Sequence, residues 1–260
     1  MTVRNHLSAF GCYLAGAVLV TGTLWADPDG RLLRGNVQDH VLFEWVLAHA
    51  AQTVVHLRDP FFTDWINAPW GVNLMANTSV WAVALPLTPV TLAFGPGVGF
   101  AALVTVALAG TATAWYLVLR RLLASRAAAV VGGACGGFGP GMLAQATGHP
   151  HIASQFLLPF IVLAVLRLRE PGPVVRPALA LAVLIVCQVF LGEEALLLTA
   201  VALGLFILVY AGMRPTEVRG AVRRAPPCSG SPPWCPVRSW PTRCTSSSPA
   251  RRATRTCPRS

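Results

Sequence analysis

The residues of this chain that could do chemistry are a few carboxylates, histidines and one arginine, separated by long apolar runs. A carboxylate or a histidine can accept a proton from a reacting hydroxyl, and an arginine or a protonated histidine can stabilise a departing phosphate. The candidates for such a site are Asp39, Glu44, Arg58, His149, His151, Glu193 and Glu194. Their chemistry depends on the elements that carry them.

Asp39 lies near the start of a segment with helical periodicity, residues 35–57. One apolar stripe runs along it at helical spacing, formed by Phe43, Val46, Leu47, Ala50, Val54 and Leu57, and this predicts an amphipathic helix. Asn36 would be its N-cap, with Asp39 in the first turn, where an acid complements the helix dipole. A structural role and a functional role for Asp39 both remain open.

The other candidates also have two interpretations. Glu193 and Glu194 precede the apolar run 195–213, where acids favour a helix start, but they could instead hold sugar hydroxyls or a divalent metal ion. His149 and His151 could ligate a metal if their segment is extended, since alternate side chains then share a side. Two histidines around a proline are more often polar loop residues, so no metal site is assigned.

Composition places these residues in an all-α integral membrane protein. The 260 residues are 54% hydrophobic and 12% charged, with mean hydropathy +0.58, which is too apolar for an ordinary soluble domain. The net charge of +10 does not indicate a nucleic-acid partner. All 20 basic residues are arginine, and eight of them lie beyond residue 220, where there is no acid. Most of the net positive charge therefore lies in residues 221–260.

Hydropathy predicts about six transmembrane helices and a large first external loop with amphipathic helices. The apolar runs are 7–25, 79–94, 98–119, 127–146, 152–166, 178–192 and 195–213. Arginine clusters follow 98–119, 152–166 and 195–213, and the positive-inside rule assigns all three to the cytoplasm. This requires that 79–94, which contains Pro86 and Pro89, does not cross. The N-terminus is then cytoplasmic, loop 26–97 is external, and the protein lies in the plasma membrane.

Two further segments have a distinct composition. The glycine-rich stretch VGGACGGFGPG (131–141) lacks the Lys-Ser/Thr ending of a phosphate loop, and its Gly133-x3-Gly137 spacing predicts close helix packing. Residues 1–220 form the membrane domain. Residues 221–260 are a Pro-, Ser-, Arg- and Cys-rich segment without periodicity, which is interpreted as a disordered basic tail or, preferably, as the product of a slipped reading frame.

Several segments together resemble actinobacterial multi-pass proteins identified as glycosyltransferases of the GT-C superfamily. The segments are the QDH sequence at 38–40, RDPFFTDWINAPWGVNLMANTSV (58–80), GHPHIASQFLLPF and FLGEEALL. The resemblance covers about residues 8–215. It implies an inverting membrane glycosyltransferase that uses a polyprenyl-phosphate sugar donor. It also implies an acidic catalytic base in the first external loop, to which Asp39 corresponds. His40 stands where many members have a second acid.

The resemblance implies that Asp39 removes a proton from an acceptor hydroxyl on a cell-envelope glycan, lipid or protein. Arg58, His149 and His151 would stabilise the leaving phosphate, while Glu44, Glu193 and Glu194 would hold sugar hydroxyls or a divalent ion. One alternative is a transporter or lipid flippase, although the centres of the apolar runs have no Asp, Glu, Arg or His. A second alternative is a non-catalytic, truncated membrane protein. In the family that the chain resembles, the C-terminal half supplies part of the donor-lipid site.

Overall fold

The fold of the described part of the chain, given by a computed structural model, is a set of helices with one short two-stranded hairpin. The structure describes residues 3–31, 36–76, 80–168 and 174–215. The helices are α1 (Val3–Val20), α2 (Gly22–Ala26), α3 (Val37–His56), α4 (Trp81–Phe94), α5 (Pro96–Leu122), α6 (Arg126–Phe138), α7 (Pro140–Ala146), α8 (Pro150–Ala153), α9 (Leu158–Leu168), α10 (Val175–Val189) and α11 (Glu193–Met213). Strands β1 (Phe62–Thr63) and β2 (Val72–Asn73) pair antiparallel. The tail 221–260 lies outside the described residues.

The chain divides into two units, Met1–Val209 and Tyr210–Ser260, and the candidate residues all lie in the first. Among the described residues, three helical stretches are long and apolar enough to cross a membrane: α5, the combined α6–α7 and α11. Helices α4, α9 and α10 are apolar but shorter. These lengths and compositions are those of a helical membrane protein.

The apolar run 152–166 is not one helix, contrary to the uniform hydropathy of its sequence. Helix α8 ends at Ala153, and α9 begins only at Leu158. At about 1.5 Å per residue, the 11 residues of α9 rise roughly 16 Å, about half the thickness of a bilayer core. The run therefore supplies a short helix and a bend rather than one full-length span.

Helix α5 is the central element of the first unit. Of its most apolar 18-residue window, 61% is buried inside the protein, against 22% for α6–α7 and none for α11. It packs against α1, α3, α4 and α6, and its buried face is rich in small residues such as Ala101, Ala107 and Ala112. Small residues let neighbouring backbones approach closely, which is how helices associate where lipid supplies no hydrophobic drive.

The seam between α5 and α6 confirms the predicted role of the glycine-rich stretch. A Cβ built on Gly137 would lie 2.5 Å from Ala112 Cβ, and one on Gly133 would lie 2.7 Å from the Ala112 carbonyl oxygen. Neither position has room for a methyl group because the opposing atoms belong to a fixed backbone and its Cβ. The Gly133-x3-Gly137 spacing thus sets the distance between α5 and α6.

We expect Gly137→Ala to destabilise the protein by about 1–3 kcal/mol, because the added methyl overpacks against Ala112. The matched control is Gly11→Ala, because a Cβ at position 11 would meet nothing within 4 Å. That substitution therefore changes only the intrinsic helix propensity, which is higher for alanine. Thermal unfolding of both purified variants in the same detergent measures the difference. A Gly137→Ala protein as stable as Gly11→Ala would contradict the packing account.

Candidate functional site

The start of α3 holds Asp39 in a fixed orientation. The Asn36 side-chain oxygen accepts from the Asp39 backbone N–H at 3.2 Å, which confirms the predicted N-cap. The Asn36 amide nitrogen in turn donates to Asp39 Oδ2. The Asp39 side chain remains 31% exposed. Capping therefore accounts for the position of Asp39 without burying its carboxylate.

The turn between α7 and α8 brings His149 to this carboxylate. His149 Nε2 lies 3.3 Å from Asp39 Oδ2, and the histidine side chain is 44% exposed. The approach depends on Gly148, since a Cβ built there would lie 2.6 Å from Asn36 Cβ. Residues more than a hundred positions apart thus form a carboxylate–imidazole pair that solvent can reach.

A second pair lies beside the first. His151 Nε2 lies 3.6 Å from Glu194 Oε2, and the rings of His149 and His151 are 5.8 Å apart, edge to face. The His151 ring also contacts Phe43 of α3 at 5.3 Å. Asp39, His149, His151 and Glu194 are hereafter the acid–histidine cluster; it joins the starts of α3, α8 and α11.

Thr111, in the middle of α5, holds the bend that carries the two histidines. Its hydroxyl donates to the Ala153 carbonyl at 3.1 Å and accepts from the Gln155 N–H at 3.1 Å. Both groups lie at the break between α8 and α9, where they lack regular helical partners. Thr111 is fully buried, and nothing in its apolar sequence context distinguished it as a positioning residue.

Gln188 performs a similar task on the opposite side of the cluster. It is fully buried near the end of α10, and its side-chain amide donates to the Gly192 carbonyl at 3.1 Å. Gly192 packs closely on the backbone of His151. A Cβ built at position 192 would lie 3.2 Å from the His151 carbonyl oxygen. A glutamine within an apolar run was the sequence signal for this turn.

Three of the predicted site residues lie elsewhere. Glu44 pairs with His40 within α3, at 3.0 Å from carboxylate oxygen to ring nitrogen, and Glu193 is exposed in the first turn of α11. Arg58 follows the opposite end of α3; the 18 residues from Asp39 to His56 span roughly 25 Å at about 1.5 Å per residue. There Arg58 lies over the Trp65 ring at 4.9 Å, so it does not join the acid–histidine cluster.

His40 is a core residue rather than a second functional group. It is 1% exposed and stacks on Phe100 of α5 with 4.0 Å between ring centroids. The apolar stripe of α3 also differs from the predicted one in its second half. Val54 and Leu57 are exposed, and buried Ala51 and Thr53 take their place. The buried face of α3 therefore differs from the predicted stripe near the end of the helix.

The C-terminal half of α3 packs into an aromatic group around His49. The His49 ring stacks on Trp45 at 4.9 Å and meets the edges of Trp65 and Trp81 at 5.6 and 6.3 Å. Burial lowers the pKa of His49, and the positive charge of Arg58 lowers it further. His49 is consequently a neutral packing residue at neutral pH.

The described part of the chain contains no group of three or more His, Cys, Asp or Glu side chains placed to hold a metal ion. The extended segment that would have turned both histidines toward one ion is not formed. His151 lies in the first turn of α8, and the two rings stand at 75° to one another. The acid–histidine cluster is arranged as two pairs and not around a common centre.

Burial lowers the pKa of His151, and the neighbouring His149 lowers it further, whereas Glu194 and Asp39 act in the opposite sense. The net direction is downward, so His151 is neutral at pH 7. Its contact with Glu194 is then one between a neutral imidazole and a carboxylate. An imidazole in this state can donate from one nitrogen and accept at the other.

Comparison with known proteins finds no matching family model, no matching curated protein and no matching solved structure.

We expect the free energy of unfolding to fall on acidification below about pH 6.5, partly through His151. Its folded pKa is lower than the 6.5 of the unfolded chain, so the unfolded state binds more protons between the two values and stability rises with pH there. His151→Gln removes this titration and should flatten the slope between pH 7 and 5. The measurement is the unfolding temperature against pH.

Thr147→Ala provides the control, since it changes an exposed residue of the same turn that carries no titratable group and should leave the slope unchanged. The titration of buried His49 has the same sign and remains in both variants, so the comparison isolates His151. A His151→Gln protein with the full wild-type slope would show that protonation of this ring does not oppose folding.

Proposed function

We propose that this protein is an inverting membrane glycosyltransferase that moves a sugar from a polyprenyl-phosphate donor to an acceptor hydroxyl, with Asp39 as general base. The observation that supports the proposal is the solvent-accessible pair of Asp39 and His149 at 3.3 Å. It sits at the start of a helix that follows the first apolar run. A carboxylate fixed by two neighbours, yet open to solvent, suits proton abstraction.

The two oxygens of Asp39 have different environments. Asn36 and His149 both contact Oδ2, which leaves Oδ1 as the oxygen that receives the proton. In the proposed step the acceptor oxygen attacks the anomeric carbon while its proton passes to Oδ1. The bond from that carbon to the phosphate oxygen breaks, and the polyprenyl phosphate leaves with the electron pair.

The leaving phosphate needs hydrogen-bond donors close to where its charge develops. His149, beside Asp39 and 44% exposed, is placed for this role, with His151 behind it. Arg58 lies too far along α3 to assist at the same centre. Glu194, about half exposed at the cluster, can accept hydrogen bonds from sugar hydroxyls. Polyprenyl-phosphate sugar, envelope acceptor and lipid bilayer are the partners of this proposal.

The proposal includes six membrane crossings, a cytoplasmic N-terminus and an external loop 26–97 in the plasma membrane. The arginine clusters that follow alternate apolar runs support it. Helix α4, which is not counted as a crossing, contains Pro86 and Pro89 and packs on α3 and α5. The acid–histidine cluster would then face outward, where polyprenyl-phosphate donors and envelope acceptors meet.

We expect single cysteines in a cysteine-free background to report this topology. Cysteine at exposed Ala76 or Thr147 should react with an impermeant maleimide in intact cells, and cysteine at exposed Ala124 should react only after lysis. Gly148 is unsuitable for labelling because any side chain there meets Asn36. Labelling of position 124 from outside, or protection of position 147, would contradict the orientation.

We expect Asp39→Asn to reduce sugar transfer by about a hundred- to ten-thousand-fold, the typical loss for a general base. Asparagine keeps the size and the hydrogen bonds at Oδ2 but cannot take the proton. The assay uses the purified protein in nanodiscs with a panel of radiolabelled polyprenyl-phosphate monosaccharides and envelope extracts as acceptors. The loss should appear with an unchanged unfolding temperature.

The matched control is Asp64→Asn, which removes an exposed carboxylate from the same loop and should leave transfer within about twofold. His40→Ala is not a suitable control because it removes a buried ring stacked on Phe100. Retention of more than a few per cent of turnover by Asp39→Asn would refute the assignment of the base. Equal loss in both variants would have the same consequence.

A further inference from the structure

An apolar groove lies at the other end of α9 and α10 from the acid–histidine cluster. Its volume is about 550 Å³, and apolar side chains form its floor: Phe160, Leu163, Ala164, Leu179, Ala180 and Val183. Leu179 and Val183 are more than half exposed on α10. Apolar surface of this kind on a membrane helix faces the acyl chains of the bilayer.

Three arginines line this groove. Arg121 is in the last turn of α5, Arg167 in the last turn of α9, and Arg176 in the first turn of α10. All three are exposed, and none of the described residues that line the groove is acidic. Three arginine side chains thus line one apolar groove, and none of its lining residues within the described part of the chain carries a carboxylate.

Helix stabilisation explains only part of this arrangement. Arg121 and Arg167 are at helix C-termini, where a cation complements the dipole, but Arg176 is at an N-terminus, where a cation is unfavourable. The positive-inside rule accounts for the side of the membrane on which arginines accumulate. It does not require that arginines from three helices meet around one groove. Their presence around one groove favours an anionic partner.

We propose that this groove binds an anionic diacyl phospholipid of the surrounding leaflet. The acyl chains lie on the apolar floor, and the phosphate is held by Arg121, Arg167 and Arg176. Guanidinium groups bind phosphate through paired, charge-assisted hydrogen bonds, and basic pockets between transmembrane helices are sites for anionic headgroups. The bound lipid would hold the short helices α9 and α10 against the end of α5.

Charge argues against the remainder of the chain as the occupant. Residues 221–260 carry eight arginines and no acid, so the arginines of the groove repel them. A free inorganic phosphate would engage the guanidinium groups but leave the apolar floor uncovered. A phospholipid satisfies both parts of the groove at once.

The test is native mass spectrometry of the purified protein with added dioleoyl phosphatidylglycerol or dioleoyl phosphatidylcholine, which share acyl chains and differ in head charge. We expect phosphatidylglycerol to bind more tightly. The triple variant Arg121→Gln, Arg167→Gln, Arg176→Gln should lose on the order of a hundredfold in that affinity, since each arginine near an anionic surface contributes about fivefold. Its binding should fall to the phosphatidylcholine level.

Two further variants separate the proposal from general electrostatics and from a headgroup-only site. Arg4→Gln, Arg31→Gln, Arg58→Gln removes the same charge at exposed positions away from the groove and should retain the preference. Ala180→Phe fills the floor from an exposed position while keeping all three arginines, and it should lose phosphatidylglycerol binding. Equal loss in the two triple variants would overturn the proposal, as would unchanged binding by Ala180→Phe or displacement of the lipid by inorganic phosphate.

Discussion

The close contact of α5 with its neighbours is the constraint on which the other elements depend. Two hydroxyls on α5, six residues apart, fix what lies around it. Thr105 bonds to Thr21 at 2.9 Å and accepts from the Trp25 indole at 3.0 Å, which anchors the α1–α2 junction. Thr111 anchors the α8–α9 bend. In hydrocarbon, such interhelical hydrogen bonds and small-residue contacts replace the hydrophobic drive that soluble helices use.

The acid–histidine cluster follows from the same constraint. Helix α3 is positioned by the stacking of His40 on Phe100 of α5, and His149 and His151 are positioned by the bend that Thr111 holds. A site built from three helix starts therefore owes its geometry to one buried helix that contributes no member of the cluster. Helix starts also suit acids, because the dipole favours negative charge there.

Much of the local structure was accessible from the sequence. Most of the apolar runs correspond to helices, Asn36 is the N-cap, and Gly133-x3-Gly137 is a packing seam. Each of these features depends on neighbours within a few residues or on a periodic face. The break after Ala153 was not predicted, since hydropathy cannot distinguish a continuous helix from a bent one. The burial of His40, the separation of Arg58 and the role of Thr111 depend on contacts between distant segments, which a single sequence does not encode visibly.

The contact between Gly148 and Asn36 has a consequence for how this sequence can vary. A Cβ at position 148 would overlap the side chain of Asn36, so mutational drift at either position is limited by the identity of the other. A lineage that replaces the glycine must first place glycine at position 36, which removes that Cβ together with the side chain that caps α3. Covariation between these two positions, 112 residues apart, would thus mark descendants that keep the turn docked on the helix.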